Sequence, residues 1–209
     1  MSCLPAISPG PQTCRATTYH DHTRARRQPS SPERLRRPAG LLRQDGTVAE
    51  RPIRLFGDPV LRTSCDAVEM FDDALISLVA DLEETVSAPG RAGLAANQIG
   101  VGRRVFSYHI DGQLGHVVNP VIEAIEGEQE DDEGCLSIPG LWYPLPRAQY
   151  ARVSGVDRSG QPVVLEGEGL LARCIQHEVD HLNGRLFVDR LSGSVRKQAM
   201  RDLRERYIS

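Results

Sequence analysis

The stretch Cys174-Ile175-Gln176-His177-Glu178-Val179-Asp180-His181-Leu182 organises the reading of this chain, because it holds an HExxH pattern within a segment of helical apolar spacing. A helix turns by about 100° per residue, so residues four apart stand one above the other and two imidazoles there can grip one ion. Glu178, next to the first histidine, can reach a water beside that ion without binding the metal itself. This is the arrangement for metal-assisted hydrolysis, in which the ion acidifies water and polarises a carbonyl while a carboxylate moves the proton. The bland alternative is a surface helix. Leu170, Leu171, Cys174, Ile175, Val179 and Leu182 argue against it, since apolar neighbours on this scale bury a helix. Asn183-Gly184 supplies its stop.

Around this segment, the 209 residues suffice for one domain with a core, and the hydrophobic share of 40% is slightly low for a globular chain. The shortfall lies in residues 1–49, which are rich in Arg, Pro, Ser and Thr and lack apolar periodicity. They are expected to be a disordered tail or the product of a start codon set too far upstream; Pro5, Pro9, Pro11, Pro29, Pro32 and Pro38 would interrupt the amphipathic helix of a transit peptide. The catalytic domain is then residues 50–209. A net charge of −3 gives no reason to expect sequence-specific nucleic-acid binding. Five cysteines without paired spacing argue for a reducing compartment, and with no apolar run long enough to span a bilayer the expected location is cytoplasmic.

Ile53–Phe56 reads as a short strand or extended arm, followed by a turn at Gly57-Asp58-Pro59. Asp72 is placed to cap a helix in which Leu75, Leu78, Val79, Leu82 and Val86 recur at helical spacing up to Pro89-Gly90. Gly93 to Gln98 is a small-residue stretch where backbone can approach a ligand. Arg104 to Ile110 reads as a strand turning at Asp111-Gly112, and His116 to Ile125 as another, interrupted at Pro120. The acidic run Glu126 to Glu133 reads as a solvated loop or edge strand. Ala151–Val156 and Val163–Leu165 form a hairpin around 157–160; Arg185–Val188 reads as one more strand, and Val195–Tyr207 as an exposed C-terminal helix. The expected class is α+β, with antiparallel or mixed sheets around a central HExxH metal-binding helix.

A catalytic ion normally takes a third protein ligand and leaves one position open. In the HExxHxxGxxH pattern Gly184 matches but the third ligand position holds Phe187, which cannot bind metal. Glu205, on a later helix, and Cys135, in the turn-like stretch Gly134 to Pro139, are the remaining candidates; the plain alternative for Cys135 is a buried structural cysteine. A closed structural metal site in a binding module would need a fourth ligand, and Cys174 lies too close to His177 for that.

Gly93-Leu94-Ala95-Ala96-Asn97-Gln98, Glu133-Gly134-Cys135-Leu136-Ser137 and His177-Glu178-Val179-Asp180-His181-Leu182 resemble, in this order, the three signature motifs of peptide deformylases; Gly57 to Arg62 resembles that family's opening segment. The resemblance implies removal of the formyl group from N-terminal formyl-methionine of nascent polypeptides. It further implies that Cys135, His177 and His181 hold a divalent metal, commonly Fe2+, with Zn2+, Ni2+ or Co2+ as substitutes. Glu178 would be the acid/base, and the Gln98 side-chain amide with the Leu136 N–H would face the formyl oxygen. Gly93, Leu170 and Cys174 would contact substrate, the latter two beside an Arg173 whose head stays wet. Arg91 stands where the family usually has glycine, which bears on the loop's shape. Work on nascent chains implies transient proximity to the ribosome, for which Arg196, Lys197, Arg201, Arg204 and Arg206 offer a basic face.

Overall fold

The computed structural model describes residues 50–207, so the expectation for residues 1–49 lies outside the described residues. Helix α1, Asp73–Val86, begins where Asp72 accepts hydrogen bonds from the N–H groups of Ala74 and Leu75 at 3.1 Å, satisfying donors the first turn leaves open. Five antiparallel strands follow in the spatial order β1 (Gly93–Ala95), β2 (Val105–Ile110), β3 (Gln113–Glu126), β6 (Tyr150–Val156) and β7 (Pro162–Glu168). Successive side chains of a strand point to opposite faces. Ala95, Phe106, Val117 and Val153 accordingly pack against Ala172, Ile175, Val179 and Leu182 of helix α2 (Gly169–Leu182). Leu94, Val105 and Val118 face the other way, onto α1. A helix on each face explains why β2 and the middle of β3 are apolar on both sides.

A separate two-stranded ribbon pairs β4 (Gln129–Cys135) with β5 (Ile138–Arg147). Ile138, Tyr143 and Leu145 join Leu186, Phe187, Val188, Leu191 and helix α3 (Gly193–Tyr207) in another core cluster. All ladders among the described residues are antiparallel; the parallel pairing is confined to an isolated bridge, Asp66 to Arg103.

Some expectations are met in one of their stated forms and others need correcting. The acidic run becomes β4, an edge strand, and its last acid, Glu133, is buried at 3% exposure. β5 has no counterpart in the pattern reading because Pro139, Pro144 and Pro146 interrupt it; they are tolerated since among the described residues β5 has a partner on one side only, so N–H groups on its other edge have no ladder to enter. Residues 185–188 form no strand: the chain turns into a 3-10 helix at Phe187–Asp189, closed when the Leu186 N–H donates to the Asp189 carboxylate. α3 is exposed on one face but docks through Ala199 and Leu203. β3 runs through Pro120 with a register shift at Asn119, whose φ of 52° turns its side chain to bond both the N–H and the carbonyl of Val68. Residues 53–56 make an extended arm outside the ladders, whose N–H groups at Arg54 and Phe56 donate to the carbonyls of Gln98 and Ser137.

Candidate functional site

His177 and His181 project from the same face of α2, their ring centroids 4.9 Å apart. Cys135, the last residue of β4, brings its Sγ to 3.2 Å from His181 Nε2. The Ser137 N–H donates to that sulfur at 3.3 Å. One donor atom from each of Cys135, His177 and His181 lies within 4.8 Å of the others. A single ion with bonds of about 2.0 to 2.3 Å spans such a set after small side-chain adjustments. Among the described residues Glu205 is not part of this group. Phe187 stacks near the His177 ring at 6.2 Å, adding packing and no donor.

Glu178 is 2% exposed, and its Oε2 has no hydrogen-bond partner among the described residues. A buried carboxylate oxygen left bare is costly unless something else meets it there. A divalent ion and its water are such partners, and a soft sulfur with two imidazoles is a donor set for a transition metal, so the residues fit the group. Burial pushes the Glu178 carboxyl up to about 7. Gly93 permits this placement: a Cβ there would lie 2.4 Å from Glu178 Oε1 and 2.6 Å from Cys174 Sγ. Gln98 is fixed by accepting the Ala95 N–H at 2.8 Å, which aims its amide group at Ser137 Oγ and Cys135 Sγ, at 3.3 and 3.6 Å. Asn97 pins the loop to the end of α2 by donating to the His181 carbonyl at 2.6 Å.

Of the residues singled out from sequence, Gly93, Gln98, Cys135, Leu136, Leu170, Cys174, His177 and Glu178 line one cavity of about 610 Å³. His181 sits behind them, 1% exposed. Arg173 also lines the cavity, but its head is not wet: Nη1 donates to Glu133 Oε2 and to the Leu145 carbonyl, both at 2.9 Å. Gly90, at φ 82°, takes the left-handed conformation of the loop, while Arg91 folds back to donate to the Thr85 carbonyl at the end of α1 and pairs with Glu50.

Sequence reasoning missed Glu133, which accepts from His177 Nδ1 at 2.7 Å and from Arg147 at 2.7 and 3.0 Å. Burial acts to raise its pKa, but the hydrogen bonds from His177 and Arg147 and the positive charge of Arg147 outweigh this and hold the carboxyl well below its ordinary value. The available signal was parity: Glu133 and Cys135 are two apart on a strand and share a face. Arg147 also donates to Asp180 at 2.7 Å, and Asp180 is held in turn by Arg190.

A sequence profile described as polypeptide deformylase matches residues 50–197. A peptide deformylase from Acidothermus cellulolyticus is 58% identical over 159 residues, covering 76% of this chain and 88% of that protein. Peptide deformylase 1 from Corynebacterium glutamicum is 51% identical over 158 residues, covering 73% and 94%. The crystal structure of a peptide deformylase from Legionella pneumophila superposes with a TM-score of 0.70 at 44% identity, covering 75% of this chain and 95% of that one. That of a peptide deformylase from Synechococcus elongatus in complex with actinonin gives 0.68 at 36%, covering 75% and 90%.

Proposed function

This chain belongs to the polypeptide deformylase family and removes the formyl group from N-terminal formyl-methionine, and we propose that Cys135, His177 and His181 hold its divalent metal while Glu178 moves the proton. The observation that carries this reading is the grouping of one sulfur and two imidazole donors beside a buried carboxylate oxygen with no partner among the described residues. Iron(II) is the proposed ion, with zinc, nickel or cobalt as substitutes, and the catalytic unit is residues 50–209. When bound, the ion supplies Lewis-acid polarisation of the formyl carbonyl and lowers the pKa of water.

The residues of the chain do the rest. Among the described residues β1 has a strand partner only in β2, and β4 only in β5, so both present an open edge beside the cavity. An extended substrate fits between them as an added strand, its main chain paired and its methionine side chain directed at the apolar wall of Leu170 and Cys174. Glu178 Oε2 takes the proton of the attacking water and returns it to the departing amine. The Gln98 amide and the Leu136 N–H face the formyl oxygen as negative charge develops there. Gln98→Leu is expected to slow formate release about 10²-fold, roughly 3 kcal/mol of transition-state stabilisation, with metal content unchanged; a loss appearing wholly in metal content would make Gln98 structural. Gly93→Ala should displace the Glu178 carboxylate, and a shift near 1 Å is enough to cost about 10²-fold in rate. Thermal melting measured beside formate release checks that the loss is local; an unchanged rate would mean Glu178 tolerates the shift.

Formate release from formyl-Met-Ala-Ser by metal-loaded protein tests the whole reading, and absence of release by protein with full metal content would overturn it. The cytoplasm is the proposed location, near ribosomes. α3 exposes Arg196, Lys197, Arg201, Arg204 and Arg206, which supports transient electrostatic contact with ribosomal RNA.

A further inference from the structure

The donors at this site belong to two separately built parts. Cys135 ends a strand of the β4–β5 ribbon, whereas His177 and His181 stand on α2, which packs on the five-stranded sheet. No ladder joins the two sheets among the described residues. The three donor atoms therefore meet only as accurately as ribbon and helix are docked. At the far end of β4, Gln129 donates to the Gly169 carbonyl at 2.9 Å. Close to the donors, β4 reaches α2 through Glu133.

The two oxygens of Glu133 are divided between ribbon and helix. Oε1 accepts from His177 Nδ1, Oε2 from Arg173 Nη1, and each also accepts from Arg147. Arg147 is part of β5, so its pairing with Glu133 stays inside the ribbon, although its Nη1 reaches Asp180 on α2. Arg173 lies one helical turn before His177, on the same face. One carboxylate is thus gripped at two adjacent points of the helix, and the same Nη1 ties the Leu145 carbonyl of β5 to α2. Arg173 is 6% exposed and its Nη2 has no partner among the described residues, a desolvation cost that the contacts of Nη1 must offset. A long cation placed so in a cavity wall does not offer its charge to the cavity; the charge is used inward, on Glu133.

We propose that Arg173 is a positioning residue of the metal centre, holding Glu133 against α2 so that His177 keeps its Nδ1 on that carboxylate and its Nε2 free for the ion. The inference rests on the reading of Cys135, His177 and His181 as the ligands. Outer partners of metal-binding histidines orient the ring, and their loss weakens metal binding by about 10 to 100-fold. Glu133 is the outer partner here, and Arg173 is what fixes it to the element that carries the histidine.

The test uses the full-length cobalt-loaded protein and follows ion loss to an excess of chelator, together with the thiolate-to-cobalt absorption that reports Cys135. Arg173→Leu is expected to accelerate ion loss about 10 to 100-fold and to weaken that absorption, whereas Arg173→Lys, which keeps a cation, should recover most of the loss. Gln129→Leu breaks the other link between β4 and α2 without touching Glu133, and should leave the rate of ion loss at the parent value. Parent-like ion loss from Arg173→Leu would overturn the proposal, and so would equal acceleration by Gln129→Leu, because general loosening would then explain the effect. If Arg173→Leu does not fold, Arg173→Lys and Arg173→Gln carry the comparison: graded loss of the ion in that order supports the proposal, and parent-like retention in both overturns it. Failure of the ligand reading is distinguishable, since parent protein would then show no thiolate-to-cobalt absorption.

Discussion

Glu178→Gln is expected to hold as much metal as the parent and to release formate at least about 10²-fold more slowly, the usual contribution of a positioned acid/base. Glutamine matches the shape of the side chain and leaves the ligand set alone, but its amide cannot accept and return a proton at the attacking water. The expectation rests on two features: the residue is 2% exposed, and its Oε2 is a carboxylate atom without a hydrogen-bond partner among the described residues. Burial pushes the carboxyl up to about 7, while a cation beside it acts in the opposite direction, so the group can both take and give a proton near neutral pH. Elemental analysis and formate release on the same preparation decide the matter. A rate close to the parent's in fully loaded protein would remove Glu178 from the mechanism.

Cys135→Ser is expected to lose most of the metal, and with it most of the activity, whichever ion is supplied. The thiolate is the soft donor of the set, and a serine hydroxyl neither ionises at neutral pH nor matches its affinity for iron, nickel or zinc. The same sulfur should make iron-loaded parent protein lose activity in air, since oxygen can oxidise the ion or move Cys135 toward sulfenic and sulfinic acid. Nickel is less prone to this, so nickel-loaded protein should persist. Bound metal, formate release and the mass of the peptide carrying Cys135, followed over time in air, report all three expectations. If Cys135→Ser keeps its full metal content and rate, the third ligand lies elsewhere, and Glu205 becomes the residue to test.

What the sequence made legible is what local periodicity encodes. α1 and α2 follow from apolar spacing and from the Asp72 cap and Asn183-Gly184 stop; the two hairpins follow from alternation broken at Asp111-Gly112 and at 157–160. β5 was not legible because its prolines deny it a strand pattern, and only its one-sided pairing makes them harmless. Residues 185–188 carry the short apolar run Leu186-Phe187-Val188, which reads like a strand, but among the described residues they pair with no strand and the chain turns into a 3-10 helix. The proposed ligands and acid/base could be picked out because the chemistry proposed for them requires fixed spacing. The network behind them could not, because Glu133, Arg147, Arg173 and Asp180 are charged residues whose default is solvent, and only tertiary packing shows that they satisfy one another. Glu133 shows the conflict directly: the acidic run around it says surface, while its parity with Cys135 says site.

The contact between Gly93 and Glu178 bears on how the cavity can drift under selection by an inhibitor. A molecule that binds the backbone at Gly93 and the atoms around Glu178 rests on positions that change only together, since any side chain at Gly93 intrudes on that carboxylate. Trp142, on the cavity wall, is 64% exposed, and substitutions there cost the fold little. Escape variants should therefore gather at the rim and spare the loop, and a compound whose affinity comes from the loop backbone would meet the slower-changing surface.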